Sequence, residues 1–457
     1  MTFVRRSLLA LCAAVVLAVP APLPLAAQTS AAPSAASTPP TTAPTTAAPA
    51  PTENQPAYTL PPDKLAKAIA LNRIRDILAI VGSLWGIAAL WLLLATRAAA
   101  GLEEWAQRIA RRRWVQGLVF FSVFLVIITL ASVPLDWIGQ YFSRAYGISV
   151  QGWGSWLGDE AKSLVLSLLI GVPVLLLFNR IVRRWPRRYW FGIWLVTLPL
   201  LVLSVFVSPF LEPIFNKFQP LVKTNPALVQ QLEKVVARTG THIPPSRMFL
   251  MKASAKTTGL NAYVSGIGST KRIVVWDTTA DHVPTDEILF IFAHETGHYV
   301  LHHIPKEIAL TAVGLFFVYW ACAGFGDWLA LRFGARWRLS SPEDTTPLAS
   351  RAGFVVLLLA ISIAGFLLEP ASNGMSRYFE HQADIYGQEA IHGIVSNPQK
   401  TAVAAFDALG QAWLEDPHPN PFIEFWLFDH PSVQQRANFA AYYNPWANGG
   451  HGRYFSH

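Results

Sequence analysis

Six apolar stretches decide what this chain can become. They lie near residues 77–95, 115–133, 163–178, 189–207, 309–331 and 352–369. Each approaches the ~20 residues a helix needs to cross about 30 Å of hydrocarbon, and the third is short enough to draw on its flanks. Lipid offers a backbone amide no partner, so each stretch is expected as a helix that closes its own hydrogen bonds. Pro173 and Pro199 fall inside the third and fourth, where a kink and local backbone repair are expected. Composition agrees: 52% of residues are hydrophobic and 14% charged, about half the charged share of a soluble domain. The expected fold class is an α-helical polytopic membrane protein of about six spans, with one substantial polar region outside the bilayer.

The net charge of +8 would ordinarily raise the question of nucleic acid. Here the arginines sit beside apolar runs, which makes them topology signals and argues against nucleic acid as a partner. Arg97, Arg108, Arg111, Arg112 and Arg113 follow the first span; Arg180, Arg183, Arg184, Arg187 and Arg188 follow the third. Arg332, Arg336 and Arg338 follow the fifth, with Arg351 closing that loop. Positive charge marks the cytoplasmic side, so the region 208–305 and the segment after 369 are expected on the opposite, periplasmic side of the cell (inner) membrane. The chain start agrees. Residues 1–27 read as a signal peptide or an uncleaved anchor, with Arg5 and Arg6 ahead of an apolar core from Leu8 to Val19. Residues 28–57, rich in Ala, Thr and Pro, read as a disordered tether. Cys12 and Cys322 both lie in apolar surroundings, so no disulfide framework is expected.

The remaining organisation follows. Residues 58–207 form a four-span region, 208–308 an extramembrane region, 309–370 a two-span region, 371–440 a set of helices, and 441–457 a flexible tail. Within 208–308, Asn225-Pro226 opens a helix that Gly240 ends, and Met248–Met251, 261–264 and 272–276 read as strands. Then comes Ile291-Phe-Ala-His294-Glu295-Thr-Gly-His298-Tyr-Val. Thr285 is expected to cap its helix, with Asp286 and Glu287 in the first turn where the dipole favours them. Histidines four apart share a helical face and can aim two nitrogens at one ion. One Zn²⁺ is the expected cofactor, with Glu295 as general base toward an activated water. A catalytic zinc takes three protein ligands and keeps one position open. Glu380 is the strongest candidate for the third, and Asp384, one turn on, can hold a ligand histidine in its tautomer.

These stretches resemble the CAAX prenyl protease 1 branch of the integral-membrane zinc metallopeptidases, peptidase family M48. The resemblance rests on His294-Glu295-Thr-Gly-His298 with His303 following, and on Ser376-Arg377-Tyr-Phe-Glu380-His-Gln-Ala-Asp384. Ser208-Pro-Phe-Leu-Glu-Pro-Ile-Phe215, Asn261-Ala262-Tyr263 and His430-Pro431 with Arg436 extend it. It implies a zincin-like α+β metallopeptidase region, zinc on His294, His298 and Glu380, Glu295 as base and Asp384 as an orienting catalytic residue. It further implies His430 as oxyanion stabiliser and Asn261, Ala262 and Tyr263 as the strand that pairs with substrate. Arg377, Arg436, Asn373 and His303 would then surround the site. The family's well-known members process prenylated proteins with the site facing the cytoplasm, whereas the arginine pattern and export-like start here indicate the opposite face and a bacterial member. The expected function is therefore a zinc endopeptidase acting on membrane-associated or exported polypeptides. A true CAAX-type protease, a non-catalytic zinc scaffold and a transporter or receptor with structural zinc are the competing readings. The expected partners are a peptide or protein substrate and the lipid bilayer; the sequence is silent on oligomeric state.

Overall fold

The computed structural model describes residues 57–266, 268–339 and 346–456. The expected signal peptide, and the tether up to residue 56, lie outside the described residues. From residue 57 the chain is docked: the Ala57 amide donates to Asn438 and the buried Tyr58 hydroxyl to the Glu415 carbonyl.

Among the described residues, six helices are long and apolar enough to cross a membrane, each over one of the six apolar stretches. The first is α1 (Pro62–Ala95), followed by an amphipathic α2 (Ala98–Ile109) and the second span α3 (Arg113–Ala145). The third span joins α4 (Trp153–Leu166) to α5 (Val172–Arg184). Between them, Ser167–Gly171 forms a π-helical turn directly ahead of Pro173, so the wider turn supplies the backbone repair expected there. The fourth span, α6 (Tyr189–Phe215), carries Pro199, Pro209 and Pro213 inside it. Aromatic packing dominates the membrane core, with Phe120, Phe121, Phe124 and Phe354 all nearly inaccessible.

The polar region is mixed. A four-stranded sheet has the order β1-β2-β4-β3, formed by β1 (Phe218–Pro220), β2 (Met248–Met251), β3 (Ala262–Ser265) and β4 (Arg272–Trp276). β2 runs parallel to β4, and β3 lies antiparallel to β4 at the sheet edge. Helix α7 (Pro226–Thr239) begins where the Asn225 side chain accepts from the Leu228 amide, and ends at Gly240 with φ 64°. Its apolar face, Leu228, Leu232 and Val235, packs into one core with Ile273, Val275, Phe290 and Phe292. After the short α8 (Asp277–His282) comes α9 (Thr285–Val300), the helix of the two histidines. Thr285 does not cap it; Pro284, extended at φ −54° and ψ 146°, precedes the helix without a side-chain cap, so Asp286 and Glu287 alone answer the first-turn dipole. His302 turns the chain at φ 56° into α10 (His303–Trp337), the fifth span.

The last span differs from expectation. A span ending near 369 and a separate helix from 371 are one 40-residue helix, α11 (Arg351–Ala390), which runs through Pro370. The Glu380 segment is thus a rigid extension of a membrane helix. Helices α12 (Pro398–Trp413), α13 (Pro421–Leu427) and α14 (Val433–Tyr442) close the molecule. The tail also departs from the flexible segment expected. The buried Glu389 carboxylate accepts the amides of Arg453, Tyr454 and Phe455 and the Tyr443 hydroxyl, and Tyr386 packs on the rings of Tyr454 and Phe455. Together these elements make a polytopic α-helical membrane protein with a zincin-like mixed α/β region.

Candidate metal centre

Two helices build the site, and glycines let them approach. A Cβ at Gly387 of α11 would meet the His294 backbone at 2.9 Å, and one at Gly297 of α9 would meet the Tyr386 ring at 2.9 Å. At that separation Glu380 reaches the histidine face of α9. Its Oε2 lies 3.3 Å from His294 Nε2 and its Oε1 3.5 Å from His298 Nε2, and the two Nε2 atoms are 3.1 Å apart. Two nitrogens on one tetrahedral zinc at ~2.0–2.1 Å would stand about 3.3 Å apart, so this spacing fits a shared ion. A second observation agrees: Glu380 Oε2 is buried with no hydrogen-bond partner. Its polar neighbours, His294 and His430 at 3.3 Å and Arg436 at 3.6 Å, form ion pairs with it and no hydrogen bond, and a cation among the donors would satisfy it directly. His294, His298 and Glu380 are the group of donors, among the described residues, that could hold a metal ion.

Behind the donors stand two different supports. His294 Nδ1 lies 2.9 Å from Asp384 Oδ1, and Arg436 grips Asp384 with its fork, Nη2 to Oδ1 at 2.6 Å and Nε to Oδ2 at 2.9 Å. Arg436 in turn lies over the Phe406 ring. Burial works against charging His294, yet the bond to Asp384 and the neighbouring Glu380 outweigh it and raise the metal-free imidazole to about 9. His298 Nδ1 instead meets His303 Nδ1 at 3.0 Å. His303 serves as a buttress to His298. Glu295, 9% exposed, sits on the same helix between the two histidines.

His430 enters from the loop before α14, its Nε2 3.3 Å from Glu380 Oε2 and its Nδ1 2.8 Å from Asp429. Burial opposes its protonation, but Glu380 and Asp429 prevail and raise it, favouring the donor form. Arg377 and Asn373 stand farther back. Asn373 donates to the Trp426 carbonyl at 2.7 Å, and Arg377 to the carbonyls of Glu424 and Phe428, so both tether the chain that leads into His430. Asn261 is pinned by Thr279, whose hydroxyl accepts its amide and donates to its carbonyl. Ala262 and Tyr263 lie on edge strand β3, and the Tyr263 hydroxyl donates to Glu212 at 2.7 Å. The Tyr263 side chain is therefore committed inward.

Sequence reasoning passed over several supporting residues. Glu212 of α6 also receives Arg272 at 2.6 Å, tying the fourth span to the sheet. Gln382 bonds His303 Nε2 at 3.1 Å. Glu415 lies behind the site, where burial raises its carboxyl against the pull of Arg75, His430 and Arg436. Two of them left a usable trace: Gln382 falls between Glu380 and Asp384, and Glu212 lies within the Ser208–Phe215 segment.

Six spans, a small mixed sheet and a buried His/His/Glu donor set on two crossing helices define a membrane-embedded metallopeptidase. More narrowly, the chain belongs to peptidase family M48. The profile of that family matches residues 222–444, and the profile described as "CAAX prenyl protease N-terminal, five membrane helices" matches 45–217. Among relatives, the uncharacterized metalloprotease YhfN of Bacillus subtilis is 31% identical over 85% of this chain and 88% of its own length. CAAX prenyl protease 1 of Saccharomyces cerevisiae is 26% identical over 70% of this chain and 71% of its own. The crystal structure of S. mikatae Ste24p shares the fold, with TM-score 0.71 at 22% identity over 84% of this chain and 90% of that one.

Proposed function

We propose that this protein is a zinc-dependent endopeptidase that hydrolyses membrane-associated or exported polypeptides at the extracytoplasmic face of a bacterial cell membrane. The observation that carries the reading is the buried Glu380 carboxylate set against His294 Nε2 and His298 Nε2, its Oε2 without a hydrogen bond, with Glu295 between the two histidines on the same helix. His294 Nε2, His298 Nε2 and Glu380 would hold the ion. Zinc, when bound, supplies a Lewis acid that polarises the peptide carbonyl and makes water nucleophilic at neutral pH. Glu295 takes the proton released by the attacking water and delivers it to the leaving amine. His430, held by Asp429 and favoured in its protonated form, donates to the oxygen that gains charge. Asp384 and Arg436 keep His294 aimed. The outer edge of β3 receives the substrate backbone by strand addition.

Glu295→Gln tests the chemistry. Peptide turnover is expected to fall about 10²–10⁴-fold with zinc still bound, and unchanged turnover refutes the mechanism. The facing is tested with a tag placed within 223–245 in sealed cells whose outer barrier is opened. Cleavage by added protease is expected; protection sinks the assignment. A CAAX-type activity is the second reading, favoured by relatives of that name. Comparing prenylated with unmodified peptides on the trapped Glu295→Gln protein separates the two.

A further inference from the structure

The two imidazoles of the candidate centre are steered by unlike neighbours, and one of them depends on a residue two bonds away. His294 presents no ambiguity: its Nδ1 faces a carboxylate, which can only accept, so Nδ1 keeps its proton and Nε2 is the nitrogen turned to the donor set. His298 faces another imidazole, His303, through two Nδ1 atoms at 3.0 Å. Either ring could donate, so that contact alone leaves the His298 tautomer open.

Gln382 decides it. Its Oε1 lies 3.1 Å from His303 Nε2, while its Nε2 lies 3.0 Å from the Tyr378 hydroxyl. The amide oxygen accepts from His303 Nε2–H, so His303 Nδ1 holds a lone pair and accepts from His298 Nδ1–H. His298 Nε2 is then left with its lone pair toward the donor set. With the amide turned over, the same logic runs backwards and puts a proton on His298 Nε2, where it removes a ligand. The ring cannot escape by rotating, because His303 is fully buried and stacked on Phe379 with centroids 4.6 Å apart.

We propose that Gln382, acting through His303, sets the tautomer of His298 and thereby the metal affinity of the site. Gln382 is a positioning residue, and the relay runs from the exposed Tyr378 inward to the ligand. The proposal rests on the reading of this site as a metal centre.

Zinc affinity of the purified full chain, measured by chelator competition, tests it. Gln382→Met, which removes the acceptor at similar size, is expected to weaken zinc roughly 10–100-fold. Gln382→Glu, which can only accept, is expected to restore at least the original affinity. His303→Leu is expected to cause a similar loss, with Gln382→Met adding nothing further in the double variant, because both break one chain. Equal affinity in Gln382→Met overturns the proposal, as does a Glu variant as weak as the Met variant. Fully additive losses overturn it as well. If the unaltered chain fails to bind zinc, the metal-centre reading fails instead, which keeps the two failures apart.

Discussion

Helix α11 carries a buried polar cluster at each end, and the two are built on opposite rules. At its start, Glu103 accepts the amides of Arg351 and Ala352 and the Arg351 guanidinium. Arg351 also donates to the Arg113 carbonyl and to Gln116, which donates to the Ala110 carbonyl. Charge meets charge, and the carboxylate sits where the helix dipole favours it. Toward the other end, Glu380 faces two imidazole nitrogens that face each other, and one of its oxygens has no hydrogen bond. The first cluster is closed and holds the span bundle together. The second is left open within a shell that is itself fully tied down by Asp384, Arg436, His303 and Gln382. Burial of charge by itself therefore says little about function; donors turned toward one point inside a rigid frame say much more.

That contrast can be broken in order of expected effect. Glu380→Ala should abolish tight zinc binding and reduce turnover by about 10³-fold or more, since several kcal/mol of Lewis-acid stabilisation go with the ion. Bound zinc and peptide hydrolysis measure it, and a variant that keeps its zinc would remove Glu380 from the ligand set. Arg351→Met should destabilise the protein by about 3–5 kcal/mol, because Glu103 stays buried without its cation. Unfolding in detergent reads this out, zinc per folded molecule should not change, and adding Glu103→Gln should recover most of the loss. If Arg351→Met instead lowers zinc content while stability holds, the closed cluster is functional and the comparison collapses.

Arg436→Met should loosen zinc roughly 10–100-fold by freeing Asp384 from its fork, and Arg436→Lys should rescue little, since ammonium cannot grip both oxygens. Chelator competition decides between them. The smallest effect concerns pH. In the metal-free protein His294 is raised to about 9 from an ordinary value of 6.5. Its contribution to stability is therefore complete below pH 6.5 and is lost as pH rises toward 9. Apo unfolding midpoints should fall across that window, and Asp384→Asn should blunt the fall. A flat apo profile would show that the open cluster is not held by protons in the way described.

What could be read from the sequence was what is local. Apolar length is a property of consecutive residues, so each of the six runs marked a helix, and the His294/His298 pair followed from helical periodicity alone. Glu380 was legible because it lies in a long, distinctive segment. The rest depends on approach in space. The division expected at 370/371 is absent, because the helix passes through Pro370; the loss of one amide donor is tolerable in a span packed on its neighbours. Thr285 looked like a cap, yet Pro284 already sets the extended entry. Nothing near Glu389 announced that it would gather three amides from residues more than sixty positions away. Gln382 stands inside the Glu380–Asp384 segment, but only the fold reveals that it faces His303.

The donor set is also spread out in time. His294 and Arg436 lie 142 positions apart. A ribosome adding ~5–20 residues per second needs on the order of ten seconds to travel from one to the other. Until Glu380 is made the growing chain carries two candidate ligands and Glu295 without the carboxylate of α11, and until Arg436 is made it lacks the fork that steadies His294. The candidate metal centre is thus complete only after both the fifth and the sixth spans have been made.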